Sequence, residues 1–547
     1  MTKTRNPVTY YRAAAYTTVM PEFRRSRVIG IATALLAVFA TLSLLAIREE
    51  RIWRLLGNTL ILALGSSALS VPVGTLLAIL LFRTDLFLRR LLGIAVVVML
   101  FVPLYLQAAG WDAGFGRLGW FSFSLGQVAD PLLGGWGAAI WIHGLAGIPW
   151  VVLVVGTALR HVEAEFEELA LLEAPSVSVL WRVTLRRCLP AIGVATIWIL
   201  IATAGEMTVT DLYGIRTYAE EVYLAIPQGE FDEIGMQWQS FVLVIAFLTS
   251  VAFPALFRLA PTSSTTPSRS LVMFRLGALG YVSLGFTLVA VLLIVGLPLG
   301  NLVANAGIVV EKIEGDFVRS WQFGKFLRIV VPAVVRFSDE FRWTLLIGSV
   351  SATAVVLMAI PMAWWAGRHL VGSVFALGTA AICLATPGPV TAVVLIGLLN
   401  RESDFVYWLY DRTILAPCLA AFVKGLPLAI LISWYTLRSV APDALEAAAA
   451  EGAGSMQRLW KIAVPQRFGA FAAAWLAAFA IAMGDLAATI LVAPPGVTTI
   501  GMRVFGLLHS GVDDHVAGLC LTSFAMFSSI AVLALFAGRA LTRQTRR

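Results

Sequence analysis

The chain has 547 residues, of which 59% are apolar and 13% charged, and its formal net charge is +8. Soluble domains average about 25% charged residues, so this composition excludes an ordinary soluble protein. Uncharged runs of about 20 residues, long enough to cross a bilayer as a helix, recur along the sequence. The composition therefore predicts an all-α, polytopic membrane protein.

Hydrophobicity predicts twelve membrane spans, and Lys and Arg are concentrated in the segments on one side of them. The positive-inside rule places that side, and with it both termini, in the cytoplasm of a bacterial cell whose inner membrane holds the chain. Basic residues that mark topology give no indication of a nucleic-acid partner. The predicted spans lie near residues 28–47, 55–82, 91–110, 132–159, 189–213, 236–257, 276–299, 343–367, 370–400, 413–437, 468–493 and 516–538.

The first span follows Arg24, Arg25 and Arg27, as the apolar region of a signal peptide would. Its apolar run of about 20 residues is longer than the roughly 7 to 15 of a cleaved signal, which predicts an uncleaved first helix. Between the sixth and seventh spans, residues 261–270 are rich in Ser, Thr and Pro and cannot form a core. We interpret them as a linker.

An internal repeat supports a division into a first half (1–260) and a second half (271–547), each with six spans. Trp181 and its neighbours match Trp460 and its neighbours at an offset of 279 residues, which also relates Glu206 to Asp485. Six spans separate the copies, so both have the same membrane orientation. This predicts a parallel repeat about an axis along the membrane normal.

The segment between the tenth and eleventh spans reads EAAAAEGAGSMQRLWKIAVPQ, from Glu446 to Gln466. It resembles the EAA signature of binding-protein-dependent ABC importer permeases, which implies a type I permease fold. In that family the short helix docks on a cytoplasmic ATPase and transmits its movement to the spans. A packed loop without this role is the alternative. The residues on the signature spacing are Glu446, Ala447, Ala448, Gly452, Ile462 and Pro465.

Residue chemistry suits such a coupling element. Alanine favours a helix that another chain can approach closely, and Gly452 permits the positive φ that ends a short helix. The first half carries a weaker version, in which Glu168 and Ala170 fit but Ala174 stands where Gly is expected. We therefore expect two unequal ATPase contacts.

No phosphate-binding loop of the form G-x-x-x-x-G-K-[ST] occurs in the sequence. The chain is therefore predicted to be a transport subunit rather than an enzyme, with no cofactor or metal of its own. Two coupling segments predict two copies of a separate ATPase subunit, which binds the ATP. The resemblance further implies a substrate-binding protein that docks from outside.

A fused permease of this kind resembles the ferric-iron and thiamine importers. Residues 483–511 and 204–214 are similar to ferric-iron permeases, which makes ferric iron the first substrate hypothesis. Thiamine, phosphonate or another small solute is the nearest alternative. A twelve-span secondary transporter driven by an ion gradient shares the composition and the repeat, but it leaves the two EAA-like segments unexplained.

Glu206 and Asp485 are predicted to lie inside the fifth and eleventh spans, where burying a carboxylate is costly. They could guide a cation along the translocation path, or each could cap or brace a neighbouring helix. Lys424 is expected to pair with a carboxylate, and His143 to be a hydrogen-bonded packing residue. His509 and His515 flank two aspartates, a pattern that we interpret as a solvated docking loop rather than a metal site.

Overall fold

The computed structural model describes residues 50–117, 119–124, 131–228, 272–313, 316–511 and 513–544. The predicted first and sixth spans and the predicted linker lie outside these residues. The described part of the first half contains ten helices. They are α1 (Glu50–Arg83), α2 (Arg89–Val98), α3 (Leu104–Phe115), α4 (Trp120–Ser124), α5 (Gly135–Leu159), α6 (Ala164–Glu173), α7 (Ser176–Val179), α8 (Leu185–Ala204), α9 (Thr208–Leu212) and α10 (Tyr218–Gln228).

The second half adds further helices and one antiparallel β-hairpin, in which Ile308 pairs with Trp321. The hairpin strands are β1 (Ile308–Ile313) and β2 (Asp316–Trp321). The helices are α11 (Leu279–Val291), α12 (Leu297–Gly307), α13 (Phe323–Arg336), α14 (Ser338–Arg368), α15 (Leu370–Ala385), α16 (Gly388–Leu399), α17 (Asp404–Arg412), α18 (Leu415–Arg438), α19 (Pro442–Ala450), α20 (Ser455–Arg458), α21 (Val464–Gln466), α22 (Phe468–Gly484), α23 (Thr489–Val492), α24 (Ile500–Ser510) and α25 (Asp513–Gln544).

Ten of the predicted spans coincide with helices, or with bent helix pairs, that are long and apolar enough to cross a membrane. Seven are single spans and three are pairs bent by more than 40°. The fold is therefore all-α and polytopic apart from the β-hairpin, and the described residues account for ten of the twelve predicted spans.

Two of the bent pairs occupy corresponding places in the halves and have the same cause. The pair around Pro103 bends by 106° and the pair around Pro387 by 108°. Val102 and Thr386, which precede these prolines, have extended backbones with ψ of 110° and 114°. A proline ring disfavours helical geometry in the preceding residue, which favours a helix break at these two positions.

The element order of the first half recurs in the second. Helices α1, α5 and α8 pack together in the first half, as α14, α18 and α22 do in the second. A single π-helical turn precedes α8 at Leu180–Thr184, and another precedes α21 at Leu459–Ala463, again 279 residues apart. The repeat inferred from the sequence is thus also a repeat of local backbone geometry.

Helix α12 belongs to the second half by sequence but packs against α3 of the first. The Asn301 side chain donates a hydrogen bond of 3.0 Å to the Gly110 carbonyl and accepts one of 3.3 Å from the Trp120 indole. Gly110 lies against Pro298, where a Cβ on the glycine would approach the proline to 2.8 Å. These cross-half contacts bind the two halves into one bundle.

Close packing of α1 against α5 makes two of the three glycines of α1, Gly57 and Gly74, sensitive to substitution to very different degrees. A Cβ at Gly74 would lie 2.6 Å from the Val151 Cβ, whereas one at Gly57 would have no atom within 4 Å. We expect Gly74→Ala to destabilise the bundle by about 1–3 kcal/mol through overpacking. The matched control Gly57→Ala should be neutral or stabilising, because alanine favours a helix more than glycine does.

Thermal unfolding of the purified protein in detergent, followed by loss of the monodisperse peak in size-exclusion chromatography, compares the two variants directly. Equal midpoints for Gly74→Ala and Gly57→Ala would contradict the close approach of α1 and α5.

Candidate functional site

Two short helical hairpins stand at corresponding positions, each directly before a π-helical turn. The first hairpin comprises α6 and α7 (164–179), and the second hairpin comprises α19 and α20 (442–458). The short helix predicted for the EAA-like segment is confirmed as α19, and a turn joins it to a second short helix, α20. Both hairpins connect consecutive spans, so a force applied to them would reach the bundle through the π-helical turns.

The turn of the second hairpin depends on Gly452, whose φ is +86°. Residues with side chains rarely adopt this left-handed conformation, so the predicted role of the glycine as a helix terminator is confirmed. The Ala453 amide donates to the Ala448 carbonyl at 2.9 Å, and the Gly454 amide donates to the Gln457 side chain at 3.0 Å. These bonds satisfy the polar groups at both sides of the turn.

The remaining EAA-like residues of the second half lie in three successive elements. Glu446 and Ala447 are exposed on α19 and Ala448 is half-buried. Ile462 lies in the π-helical turn, and Pro465 lies in the first turn of α21. Glu446 at the start of the motif and Pro465 at its end are thus exposed, while Ile462 between them is half-buried.

The first hairpin has a different turn, as its sequence predicts. Ala174 is extended, with φ −140° and ψ 150°, and Pro175 follows. Glu168 is exposed on α6 and Ala170 is half-buried. The side chain that enters the bundle is Glu167, which the sequence analysis did not single out although it stands 279 residues before Glu446, the repeat offset.

A cavity of about 260 Å³ lies between the two halves. Its wall includes both helix breaks, at Pro103 and Pro387. It also includes residues of α8 and α22, the helices that end just before the repeat-related carboxylates. Other side chains along the wall are His143, Trp150, Trp198, Lys424 and Asp485.

Asp485 is buried at this cavity and bonded on both carboxylate oxygens. Lys424 Nζ lies 2.6 Å from Oδ1, and the Thr489 hydroxyl donates to Oδ2 at 3.0 Å. The expected pairing of Lys424 with a carboxylate is confirmed. The Asp485 side chain has no exposed surface, whereas that of Lys424 is 27% exposed. The Lys424 ammonium is therefore the exposed member of this ion pair at the cavity.

Glu206 occupies the equivalent place in the first half and caps α9. Its two oxygens accept hydrogen bonds from the Thr208 amide at 2.7 Å and the Val209 amide at 3.0 Å. His143 Nε2 lies 3.2 Å from the carboxylate, and its Nδ1 lies 2.8 Å from the Ala139 carbonyl. Both ring nitrogens face acceptors, so only a doubly protonated ring donates in both directions.

Neither carboxylate lies inside a helical span, contrary to the sequence prediction. Helix α8 ends at Ala204 and α22 ends at Gly484, one or two residues before the carboxylates. The start of a helix leaves its first backbone N–H groups without intrahelical partners, and Glu206 supplies acceptors for two of those of α9. Each half thus joins a span end, a carboxylate and a basic side chain of the preceding span.

The histidines near the chain's end do not gather around one point. His509 lies 3.0 Å from Asp211 of the first half, whereas the ring of His515 accepts a hydrogen bond from Arg336 at 2.9 Å. Asp514 pairs with Lys325 at 2.9 Å. Their partners lie in two different elements, α9 and α13, and at separate points of them, so residues that are close in sequence do not share a ligand.

Residues 354–547 match the protein family described as binding-protein-dependent transport system inner membrane component. The matched segment is a little over a third of the chain, and it includes the second hairpin, Lys424 and Asp485. Its match and the helical repeat support an ABC-type permease function for this multi-pass membrane protein.

Two relatives extend this finding. Over 496 residues the chain is 22% identical to the Fe(3+)-transport system permease protein FbpB 2 of Haemophilus influenzae, which covers 90% of this chain and 89% of the relative. Over 136 residues it is 28% identical to the putrescine transport system permease protein PotI of Escherichia coli, covering 25% of this chain and 48% of PotI. The chain as a whole thus resembles a fused permease of the ferric-iron type.

Proposed function

We propose that this chain is the membrane permease of an ATP-driven importer for a cationic substrate, with ferric iron as the first candidate. The observation that carries the proposal is the repeated arrangement of a hairpin, a π-helical turn and a span on both sides of one cavity. In this proposal the hairpins face the cytoplasm and contact two copies of a separate ATPase. A substrate-binding protein delivers the cargo to the opposite end.

The substrates named for the two relatives support a cationic cargo. Ferric iron and putrescine differ in size and chemistry, but both carry positive charge at neutral pH. The similarity to the iron permease extends over nearly the whole chain and that to PotI over a quarter of it. Iron is therefore the first hypothesis and a polyamine such as putrescine the second.

The cavity suits passage better than tight retention of a cation. Asp485 lines the cavity paired with Lys424, so a cation would meet a compensated rather than a bare negative charge. In our proposal Asp485 offsets the repulsion of Lys424, Glu206 lies next to the lining residue Gly205, and the substrate-binding protein provides selectivity.

Uptake of labelled ferric iron, putrescine and thiamine should be compared in cells that lack the chromosomal copy, with and without the restored gene. We expect iron uptake to depend on the gene. Loss of putrescine or thiamine uptake alone would refute iron and leave the permease proposal standing. Purification in mild detergent should also recover an ATPase subunit, and a chain that transports without one would contradict the ABC mechanism.

A further inference from the structure

The first hairpin is tied to the spans by an ion pair with no exposed surface. Arg83, the last residue of α1, contacts Glu167 of α6, and both side chains are 0% exposed. Arg83 also donates 2.7 Å to the Leu159 carbonyl at the end of α5. The second Glu167 oxygen accepts a hydrogen bond of 2.6 Å from Thr184 in the π-helical turn. One cluster thereby joins two spans, the hairpin and the turn.

Because the cluster is buried, its charged side chains must keep a defined relative position. Two charges removed from water are stable only where each is paired and hydrogen-bonded, and breaking such a pair by removing one partner costs about 3–5 kcal/mol. Replacing both partners with apolar residues is often close to neutral. The pair therefore contributes more to the defined position of Glu167 and its helix than to net stability.

Corresponding residues of the second half have other contacts. Thr59 of α1 accepts a hydrogen bond from a backbone amide of α10, and Thr344 of α14 accepts one from a backbone amide of α24. These equivalent threonines are 285 residues apart, which gives the sequence offset that aligns α1 with α14. The same offset relates Arg83 to Arg368. Arg368, however, stacks on Trp364, with 3.0 Å between the guanidinium carbon and the ring centroid, and Glu446 is exposed.

Among the described residues, the second hairpin is held by one side-chain hydrogen bond and by the packing of Leu445 against the apolar cluster around Trp364. The indole of Trp364 donates to the Ser455 hydroxyl at 3.0 Å. A neutral hydrogen bond contributes only about 0.5–1.5 kcal/mol and fixes one point of a short helix. The two hairpins are therefore attached to their spans with different rigidity.

We propose that Arg83, Glu167 and Thr184 are positioning residues that make the first hairpin move as one body with α1, α5 and α8, while the second hairpin pivots on its Trp364 contact. The inference rests on the proposed function, in which the hairpins receive the movement of the ATPase. It assigns rigid transmission to the half with the weaker EAA-like motif.

Distances between spin labels test this in the full chain without any partner. Labels on Leu172 and Leu153 report the first hairpin, and labels on Met456 and Leu357 report the second, all four being exposed positions. The four native cysteines are replaced beforehand. We expect a narrower distance distribution for the first pair than for the second.

The decisive variant is Arg83→Met with Glu167→Leu, which removes both charges together. This double variant should broaden the distance distribution of the first hairpin to at least the width seen for the second hairpin, and it should leave the distribution of the second hairpin unchanged. Trp364→Phe should broaden the distribution of the second hairpin and leave that of the first unchanged. Equal widths in the unaltered chain, or an unchanged first distribution in the double variant, would overturn the proposal.

If the double variant does not fold, Thr184→Val removes one hydrogen bond at constant shape and should broaden the first distribution less. No broadening there would also refute the positioning role. With an ATPase reconstituted, the double variant should transport less substrate per ATP hydrolysed. If the unaltered chain stimulates no ATPase, the proposed function fails, but the distance measurements still decide the positioning.

Discussion

Replacing Gly452 by valine is expected to uncouple ATP hydrolysis from substrate uptake while the chain still inserts into the membrane. The glycine has a φ of +86°, and a Cβ there would have no atom within 4 Å, so the cost arises from the backbone alone. Left-handed geometry costs an ordinary residue roughly 1–2 kcal/mol, and a β-branched one more. The turn should therefore change shape and misplace the second hairpin.

Ala174→Val in the first hairpin is the matched control. Ala174 is extended, a conformation that β-branched residues favour, so uptake should fall little. Gly452→Asn should also retain more coupling than Gly452→Val, because asparagine tolerates positive φ. ATP hydrolysis and uptake are measured together in proteoliposomes. Full uptake by Gly452→Val would argue against the coupling role, and equal losses at both positions would refute the unequal hairpins.

Asp485→Asn is expected to slow uptake of a cation severely, because it leaves the Lys424 ammonium uncompensated beside the cavity. Two unit charges about 5 Å apart repel by roughly 3 kcal/mol at an effective dielectric constant of about 20. Even half of that would reduce the rate about tenfold. Glu206→Gln should act in the same direction, and the two changes together should be worse.

The double variant Asp485→Asn with Lys424→Met separates charge from structure. It removes both members of the pair, so uptake of a cation should recover most of the loss caused by Asp485→Asn alone. Initial rates of iron uptake are compared at equal amounts of folded protein. If the double variant is as slow as the single one, Asp485 acts as a structural brace. If the single variant transports faster, the cargo is neutral or anionic.

The sequence predicted ten spans that the structure contains, because long apolar runs determine where a chain can cross a bilayer. Helix breaks inside these runs were not predicted, although Pro103 and Pro387 carried the signal. The end of α8 was harder to predict, because the apolar run continues past Ala204. The helix break there depends on the hydrogen bonds by which Glu206 caps α9. Local hydrophobicity is insensitive to such contacts.

Of the candidate site, the sequence located the hairpins and the two carboxylates and predicted that Lys424 pairs with a carboxylate, but it did not identify Glu167 or its partners. The Glu167–Arg83 contact joins residues 84 positions apart, and no local pattern relates them. Comparing the halves at the offset of 279 would have placed Glu167 opposite Glu446. The packing of α12 on the first half likewise depends on Asn301 meeting a backbone carbonyl, which composition does not reveal.

Two of the three π-helical turns among the described residues lie at corresponding places in the two halves, and the third is at Leu292–Gly296. A π-helical turn closes its hydrogen bonds over one residue more than an α-helical turn does, so an isolated one amounts to a one-residue insertion in a helix. Leu180–Thr184 and Leu459–Ala463 hold that extra residue at the same place in both halves. Two independent insertions at one place are less economical than one. The shared position of these two turns is therefore what duplication and fusion of one six-span unit would produce.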